Sequence, residues 1–351
     1  MFLTGLGTAS PPRRFTQMEC WAALQKSSQF AQLNTRSRAL LKKVLSSENG
    51  IATRRLAVAD LDEMFVLTPN ALHDRFARHA PVLAAQAAER ALANARLAPA
   101  EVDAVIISTC TGYLCPGLTS YVGERLGLRS NVFSLDLVGQ GCGAALPNLR
   151  TANALIQSGQ SKRVLSICVE VCSAAFYLDE DIGVLISACL FGDGAAAAVL
   201  SNSPGSTRKV KWNSASSLLK PEDRDTLRFE QKNGMLRNIL KPEVPALAAT
   251  HADKVLTDAI KEANVTRTQI SGWIFHPGGR DVIVALRDKL KLSGDDLRWS
   301  ASVLREYGNM SSPSVLFVLQ NALNGGAPGG WWWMSSFGAG FSCHGALLAV
   351  E

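Results

Sequence analysis

The stretch Leu97–Ser108, LAPAEVDAVIIS, lies without a gap on Val265–His276, VTRTQISGWIFH. Each runs from a helix end through a polar link into an apolar strand. The offset is 168 residues (265 − 97), and at that offset Gly141 meets Asn309, so GCGAALPNL covers NMSSPSVLF. Both of these read as a small-residue turn entering a helix. A period of about half the chain is an internal duplication, not a solenoid repeat. Two strand segments of any α/β protein share some of this likeness, so the duplication is weighed together with the chemistry below.

Outward from the repeat, an amphipathic helix is expected from about Pro81 to Leu97 and a buried strand at Val102–Ser108. Strand Val132–Leu137, helix Ala144–Gln157 and strands Arg163–Glu170 and Ala195–Leu200 follow. The strands are too uniformly apolar for a sheet with one face in water, which makes the class α/β. The repeat divides the chain into halves at residues 1–205 and 206–351. The polar link from about Ser201 to Pro245 should hold the crossing between them and a lobe.

With 351 residues, 47% hydrophobic and 19% charged, the chain can bury a large interior and does not read as disordered. Its longest apolar runs fall short of the roughly 18 residues that span a bilayer. The start MFLTGLGTASPP lacks the pattern of a signal peptide, so a cytoplasmic address is expected. None of the eight cysteines has a partner set resembling a zinc site. The net charge of +6 suits an anionic ligand such as a phosphate-bearing CoA, and no basic stripe with interleaved aromatics speaks for nucleic acid.

Cys142, in LVGQGCGAAL, stands where a strand ends, glycines permit a tight turn and an alanine-rich helix begins. A thiol there faces unpaired N–H groups and the positive end of a helix dipole, a nucleophile's position. The other seven cysteines read as small buried hydrophobes. His276 ends the strand GWIFH just before Pro-Gly-Gly, where a ring can meet a ligand or simply bond the following loop. Asn309, in EYGNMSSPSV, read alone is a cap for the next helix.

Taken together, GQGCGAA, WIFHPGG and EYGNMSS resemble, in order and spacing, the chalcone synthases and other type III polyketide synthases. LFGDGAAAAVL and FGAGFS extend the resemblance to nearly the whole chain, Leu3 to Val350. It implies a thiolase fold, five layers αβαβα with the internal pseudo-duplication. It also implies an enzyme in which Cys142 carries the acyl group and His276 stabilises its thiolate as imidazolium. His276 and Asn309 would then donate hydrogen bonds to the malonyl thioester carbonyl as carbon dioxide leaves. The implied substrates are malonyl-CoA and an acyl-CoA starter, with no metal and no further cofactor. A homodimer is implied too, pairing through a strand beside the nucleophile, with Arg163–Cys168 as the candidate edge.

The resemblance extends to the binding residues. Phe191 matches an aromatic between the CoA tunnel and the cavity, although a core Phe is an equal reading. The second such aromatic is missing around Arg237, Asn238 and Ile239. Lys42, Lys43, Arg54 and Arg55 lie where the family binds CoA phosphates, or form a solvated charged face. In STCTGYLCPG, Cys110 and Thr111 fall on the cavity, and Cys115 replaces a residue that often reaches into the partner's cavity. Gly338 belongs to the carboxyl-terminal glycine loop, in which Ala339 stands where proline is usual.

The block EVCSAAFYLDEDIGVLISACLFGDG looks most like the bacterial dihydroxyphenylacetyl-CoA synthase branch, which implies a resorcinol-type product from malonyl-CoA alone. The main alternative is an alkylresorcinol or alkylpyrone synthase with a fatty acyl starter. Two rivals share the fold: a ketoacyl-ACP synthase III that condenses once, and an inactive acyl-CoA-binding protein.

Overall fold

A computed structural model describes residues 1–205 and 208–351, so the expected division between halves at 205/206 abuts two residues outside the described set. The chain opens with β1 (Phe2–Ala9) and β2 (Arg14–Thr16) and then forms α1 (Gln17–Lys26), α2 (Ser28–Gln32) and α3 (Thr35–Ser46). A reciprocal box starts α1: Glu19 N donates to Thr16 Oγ1 at 3.1 Å and Thr16 N to Glu19 Oε2 at 2.7 Å. Next come β3 (Thr53–Arg55), α4 (Pro69–Ala95), β4 (Ala104–Ser108), α5 (Leu118–Leu126), β5 (Phe133–Leu137), α6 (Ala145–Gln157), β6 (Arg163–Glu170), α7 (Ile182–Leu190) and β7 (Gly194–Ser201). The rest comprises β8 (Val210–Leu219), β9 (Leu227–Lys232), β10 (Met235–Leu240), α8 (Val244–Glu262), β11 (Ile270–Phe275), α9 (Arg280–Leu290), α10 (Arg298–Tyr307), α11 (Ser314–Asn324), β12 (Gly330–Gly338) and β13 (Ser342–Val350).

The main sheet runs β11-β12-β13-β8-β1-β7-β6-β4-β5. Its two wings meet where β1 pairs with β8 through Phe2↔Lys211 and Leu3↔Val210. Alternation along the strands sorts the layers. On β4, Ala104 and Ile106 pack with α6 and α11, whereas Val105 and Ile107 pack against α4 and α5. On β12, Trp332 and Met334 share the α6–α11 core, and Trp333 faces α8 and α9. The order is therefore α4/α5, one wing, α6/α11, the other wing, α8/α9, the five layers of the thiolase fold. Strands covered on both faces are largely apolar, which is why β4, β6 and β7 read as mainly hydrophobic runs.

Two expectations change. The helix read from Pro81 is the second half of α4, whose true start is Thr68, with its side chain accepting from Ala71 N and Pro69 in the first turn. Pro81 lies inside that helix, which extends about three turns further upstream than the amphipathic stretch read from the sequence. The strand Arg163–Cys168 is not an edge: β6 pairs with β4 on one side and β7 on the other. From Val164 on, every residue of the strand is buried. The edge beside the nucleophile is β5, with Phe133 48% exposed and Val138, just beyond it, 60% exposed. The link after Ser201 does form a lobe, the β9–β10 hairpin, and no helix of the described residues is long and apolar enough to cross a membrane.

Candidate active site

Cys142 stands in the turn Gly141–Gly143 between β5 and α6, at the N-terminal end of the central helix. Gly141 has φ +55°, a left-handed conformation that favours glycine. The carboxyl-terminal loop presses on this turn. A Cβ at Gly338 would meet the Gly143 amide nitrogen, with Gln140 O at 2.6 Å and Cys142 N at 3.1 Å, so only glycine fits. Ser336 Oγ donates to Gly143 O at 3.0 Å, fixing the turn from β12.

The same strand holds His276. The backbone N–H of His276, one residue beyond β11, donates to Ser335 O at 2.9 Å, and its ring lies edge-on to Phe337 at 5.3 Å. The side chain is 1% exposed and its Nδ1 has no partner. Burial pushes its pKa down to about 3, so the resting imidazole is neutral. A neutral ring still offers one N–H donor.

Asn309 precedes α11 as Cys142 precedes α6. Its backbone N–H donates to Leu190 O at 2.9 Å and its carbonyl accepts from Gly192 N at 2.9 Å, the bridge that sets Phe191 beside it. Its Oδ1 accepts from Ser311 N at 2.8 Å, and its Nδ2 donates to Gly278 O at 3.0 Å, on the loop that follows His276. Asn309 does not cap the helix that follows, because α11 begins at Ser314 after Pro313 and no side chain caps it. A primary amide carries two N–H donors, so one remains for a ligand.

Sequence reasoning passed over two residues here. Ser311 holds φ +60°, a costly conformation for a residue with a side chain, and its Oγ donates to Cys142 Sγ at 3.2 Å. Glu170, at the end of β6 and fully buried, accepts from Ser312 Oγ at 2.7 Å, Thr111 Oγ1 at 2.9 Å and Cys110 N at 3.0 Å. Burial raises its pKa despite those bonds. The legible signal was a carboxylate terminating the mostly apolar run VLSICV.

Burial works against both charged members of the thiolate–imidazolium pair implied by the resemblance. Burial pushes the Cys142 thiol up to about 12, the bond from Ser311 works against that rise, and the nearby Glu170 charge adds to it. Desolvation drives both Cys142 and His276 towards their neutral forms, and the side-chain partner of Cys142 is Ser311.

Cys142 opens into a pocket whose walls include Cys110, Thr111, Phe191, Arg54, Ser311 and Ala339. The β9–β10 hairpin adds Phe229 and Asn238, so the wall near the missing aromatic carries a Phe from the neighbouring strand. His276, Asn309 and Gly338 are not among the residues that line this pocket. Cys115 is exposed and does not line the cavity. Lys42 and Lys43 are exposed on α3. Arg54 is not a surface cation but 5% exposed, donating to Ala188 O at 2.8 Å and Phe191 O at 3.1 Å, where it closes the C-terminus of α7.

A partly buried thiol at the head of a central helix in a thiolase fold, bonded by the serine that Asn309 holds, suits a condensing acyltransferase acting on thioesters. The chain belongs to the type III polyketide synthase family. Residues 9–226 match the model described as FAE1/type III polyketide synthase-like protein, and residues 213–349 match the chalcone and stilbene synthase C-terminal domain. The 3,5-dihydroxyphenylacetyl-CoA synthase of Streptomyces toyocaensis is 28% identical over 99% of this chain and 89% of its own length. The alpha-pyrone synthesis polyketide synthase-like Pks18 of Mycobacterium tuberculosis is 30% identical over 91% of this chain and 82% of its own. Polyketide synthase PKS-I of the brown alga Ectocarpus siliculosus superposes with a TM-score of 0.90 at 27% identity, covering 99% and 98% of the two chains. The 1,3,6,8-tetrahydroxynaphthalene synthase of Streptomyces coelicolor A3(2) shares the fold, with a TM-score of 0.89 at 23% identity over 100% and 99%.

Proposed function

We propose that this synthase works in the cytoplasm and condenses malonyl-CoA repeatedly onto an acyl starter held on Cys142, then releases a small cyclised polyketide. The Cys142 sulfur attacks the starter thioester, the sulfur–carbon bond forms, and CoA leaves with the thiol proton. Malonyl-CoA then loses carbon dioxide, and the electron pair of the broken carbon–carbon bond becomes an enolate. The neutral His276 N–H and the second Asn309 N–H bind its oxygen. The enolate carbon attacks the Cys142 thioester and the thiolate departs. The carrying observation is the placement of Cys142 on the cavity with Asn309 fixed two residues from the serine that bonds its sulfur.

A malonyl-only resorcinol product is supported by the likeness to the dihydroxyphenylacetyl-CoA synthase. A fatty acyl starter is favoured by a specific observation, the apolar walls Leu56, Met64, Phe176, Val184, Leu227 and Phe229. The two readings are tested by mass spectrometry of products from purified enzyme, first with malonyl-CoA alone and then with acyl-CoA starters of increasing length. Product from malonyl-CoA alone supports the first reading, and turnover only with long starters supports the second. A homodimer through β5 is supported by its free edge and by the exposed Tyr113 and Val138 nearby, 71% and 60% accessible. Sedimentation giving a stable monomer at micromolar concentration would remove it.

A further inference from the structure

The lobe made by β9 and β10 is a two-stranded sheet separate from the nine-stranded one, yet it supplies Leu227, Phe229 and Asn238 to the wall of the reaction pocket. We propose that Arg237 is the positioning residue of this wall, its ion pairs latching the hairpin to the head of α7. This rests on the condensing reading above and adds what fixes one side of its site.

The register of the hairpin sets Arg237 apart from any substrate. Phe229 lies opposite Asn238, and Glu230 lies opposite Arg237. Successive residues of a strand face opposite sides, so the first pair lines the pocket while neither Glu230 nor Arg237 does. Arg237 therefore acts through Phe229 and Asn238.

Its guanidinium reaches three carboxylates. Nε donates to Asp179 Oδ2 at 2.7 Å, Nη1 donates to Glu230 Oε1 at 2.8 Å, and Nη2 stands 3.6 Å from Asp181 Oδ2. Asp181 caps α7, accepting from Gly183 N at 2.9 Å and Val184 N at 3.2 Å, and that helix carries Val184, Ser187 and Ala188 into the pocket wall. Exposed ion pairs contribute little to stability. The Arg237 side chain is 12% exposed, against 35% or more for every other Lys or Arg in an ion pair of the described residues. A charge-assisted fork in such a setting holds geometry as well as charge.

The base of the hairpin is held differently, by Leu227 and Leu240 packing against the α8/α9 core. Further out, the Arg237 pairs are joined by the bond from Ser187 Oγ to Asn238 Oδ1 at 3.0 Å, between two residues of the pocket wall. Without the guanidinium, Asp179, Asp181 and Glu230 repel one another, and exposed Lys232, 3.6 Å from Asp179, is the cation left across that gap. The outer hairpin then moves away from α7 and takes Phe229 and Asn238 with it.

The test reads the wall without turnover. The full-length enzyme and its Arg237→Met variant are labelled with N-ethylmaleimide. Rates are mapped by mass spectrometry at Cys172, buried on the pocket wall, and at Cys343, buried in the α8/α9 core. Loss of the latch is expected to speed Cys172 about tenfold and to leave Cys343 unchanged, with Arg237→Lys in between because it keeps the charge and loses the fork. In reactions with malonyl-CoA, alone and with hexanoyl-CoA, the ratio of shorter to longer polyketides is expected to shift in Arg237→Met and to return towards the parent value in Arg237→Lys. An unchanged Cys172 rate in a folded Arg237→Met protein overturns the proposal. Equal speeding at Cys172 and Cys343, the mark of general loosening, overturns it too, as does an unchanged product ratio. Should Arg237→Met not fold, Asp179→Asn weakens the same latch: faster labelling of Cys172 alone supports the proposal and an unchanged rate overturns it. Normal products with unchanged labelling sink the latch alone, and latch-dependent labelling without any condensation product sinks the reaction alone.

Discussion

Cys142 and Asn309 occupy matching places in the duplicated architecture, each in the turn before a central helix, yet the two turns are built oppositely. The Cys142 turn is all glycine around the thiol, open to the cavity and pressed from behind by Gly338. The Asn309 turn is 4% exposed at the asparagine and uses its backbone and both side-chain ends in hydrogen bonds. One copy keeps a sulfur free to gain and lose an acyl group, and the other keeps a donor from moving. Duplication supplied two helix heads, and the residues in each turn decided which became nucleophile and which became clamp.

The contrast is broken most completely at the nucleophile. Cys142→Ala should abolish product formation and the acyl-enzyme adduct, read by product analysis and intact mass, with the fold retained because a partly buried thiol becomes a methyl group. At the clamp the effect is smaller and divided. Asn309→Ala should lower malonyl-CoA decarboxylation by about 10²–10³. Acylation of Cys142 by a starter should fall much less, because the donor acts on the enolate. Equal losses in both half-reactions would contradict the division of labour.

A third change attacks the support of the open turn. Gly338→Ala sets a methyl group against the Gly143 amide and within 2.6 Å of Gln140 O, so the nucleophile turn must shift. A loss of about 1–3 kcal/mol in stability is expected from such overpacking, together with a drop in kcat. Thermal unfolding and initial rates of the same sample measure both.

The smallest effects are titrations. Burial pushes the Cys142 thiol up to about 12, so alkylation by iodoacetamide should rise with pH beyond the free-cysteine value of about 8.5. Exposed Cys115 should label first. For His276 the folded pKa of about 3 lies below the unfolded value of about 6.5. Between these the unfolded chain holds the extra proton, so this group's contribution is full above the unfolded value. It then falls by about 1.4 kcal/mol per pH unit as the solution is acidified. His276→Gln should flatten that slope in melting temperature between pH 6 and pH 4, roughly the window those values set.

The sequence made the layers legible because strands buried on both faces carry an unmistakable apolar run, and the Gly-Cys-Gly turn announced its nucleophile. It hid what depends on neighbours far along the chain. Nothing near Arg163 says that β4 and β7 flank that strand. Arg54 reads as a surface cation until α7 folds over it. Ser311 lies 169 residues beyond Cys142, and only the stacking of α6 against α11 brings its hydroxyl to the sulfur. The helix read from about Pro81 covers only the second part of α4, which carries Pro81 in its interior.

The central claim is that the acyl chain rides on Cys142 while Asn309 acts only afterwards. It is met most directly by mixing enzyme with an acyl-CoA starter, quenching within a turnover and mapping the acylated peptide by mass spectrometry, in the unaltered chain and in Asn309→Ala. The account predicts one acyl group on the peptide containing Cys142 in both proteins, with extension blocked only in the variant. An acyl group on Cys110 instead, or no acyl-enzyme while product still accumulates, would contradict it.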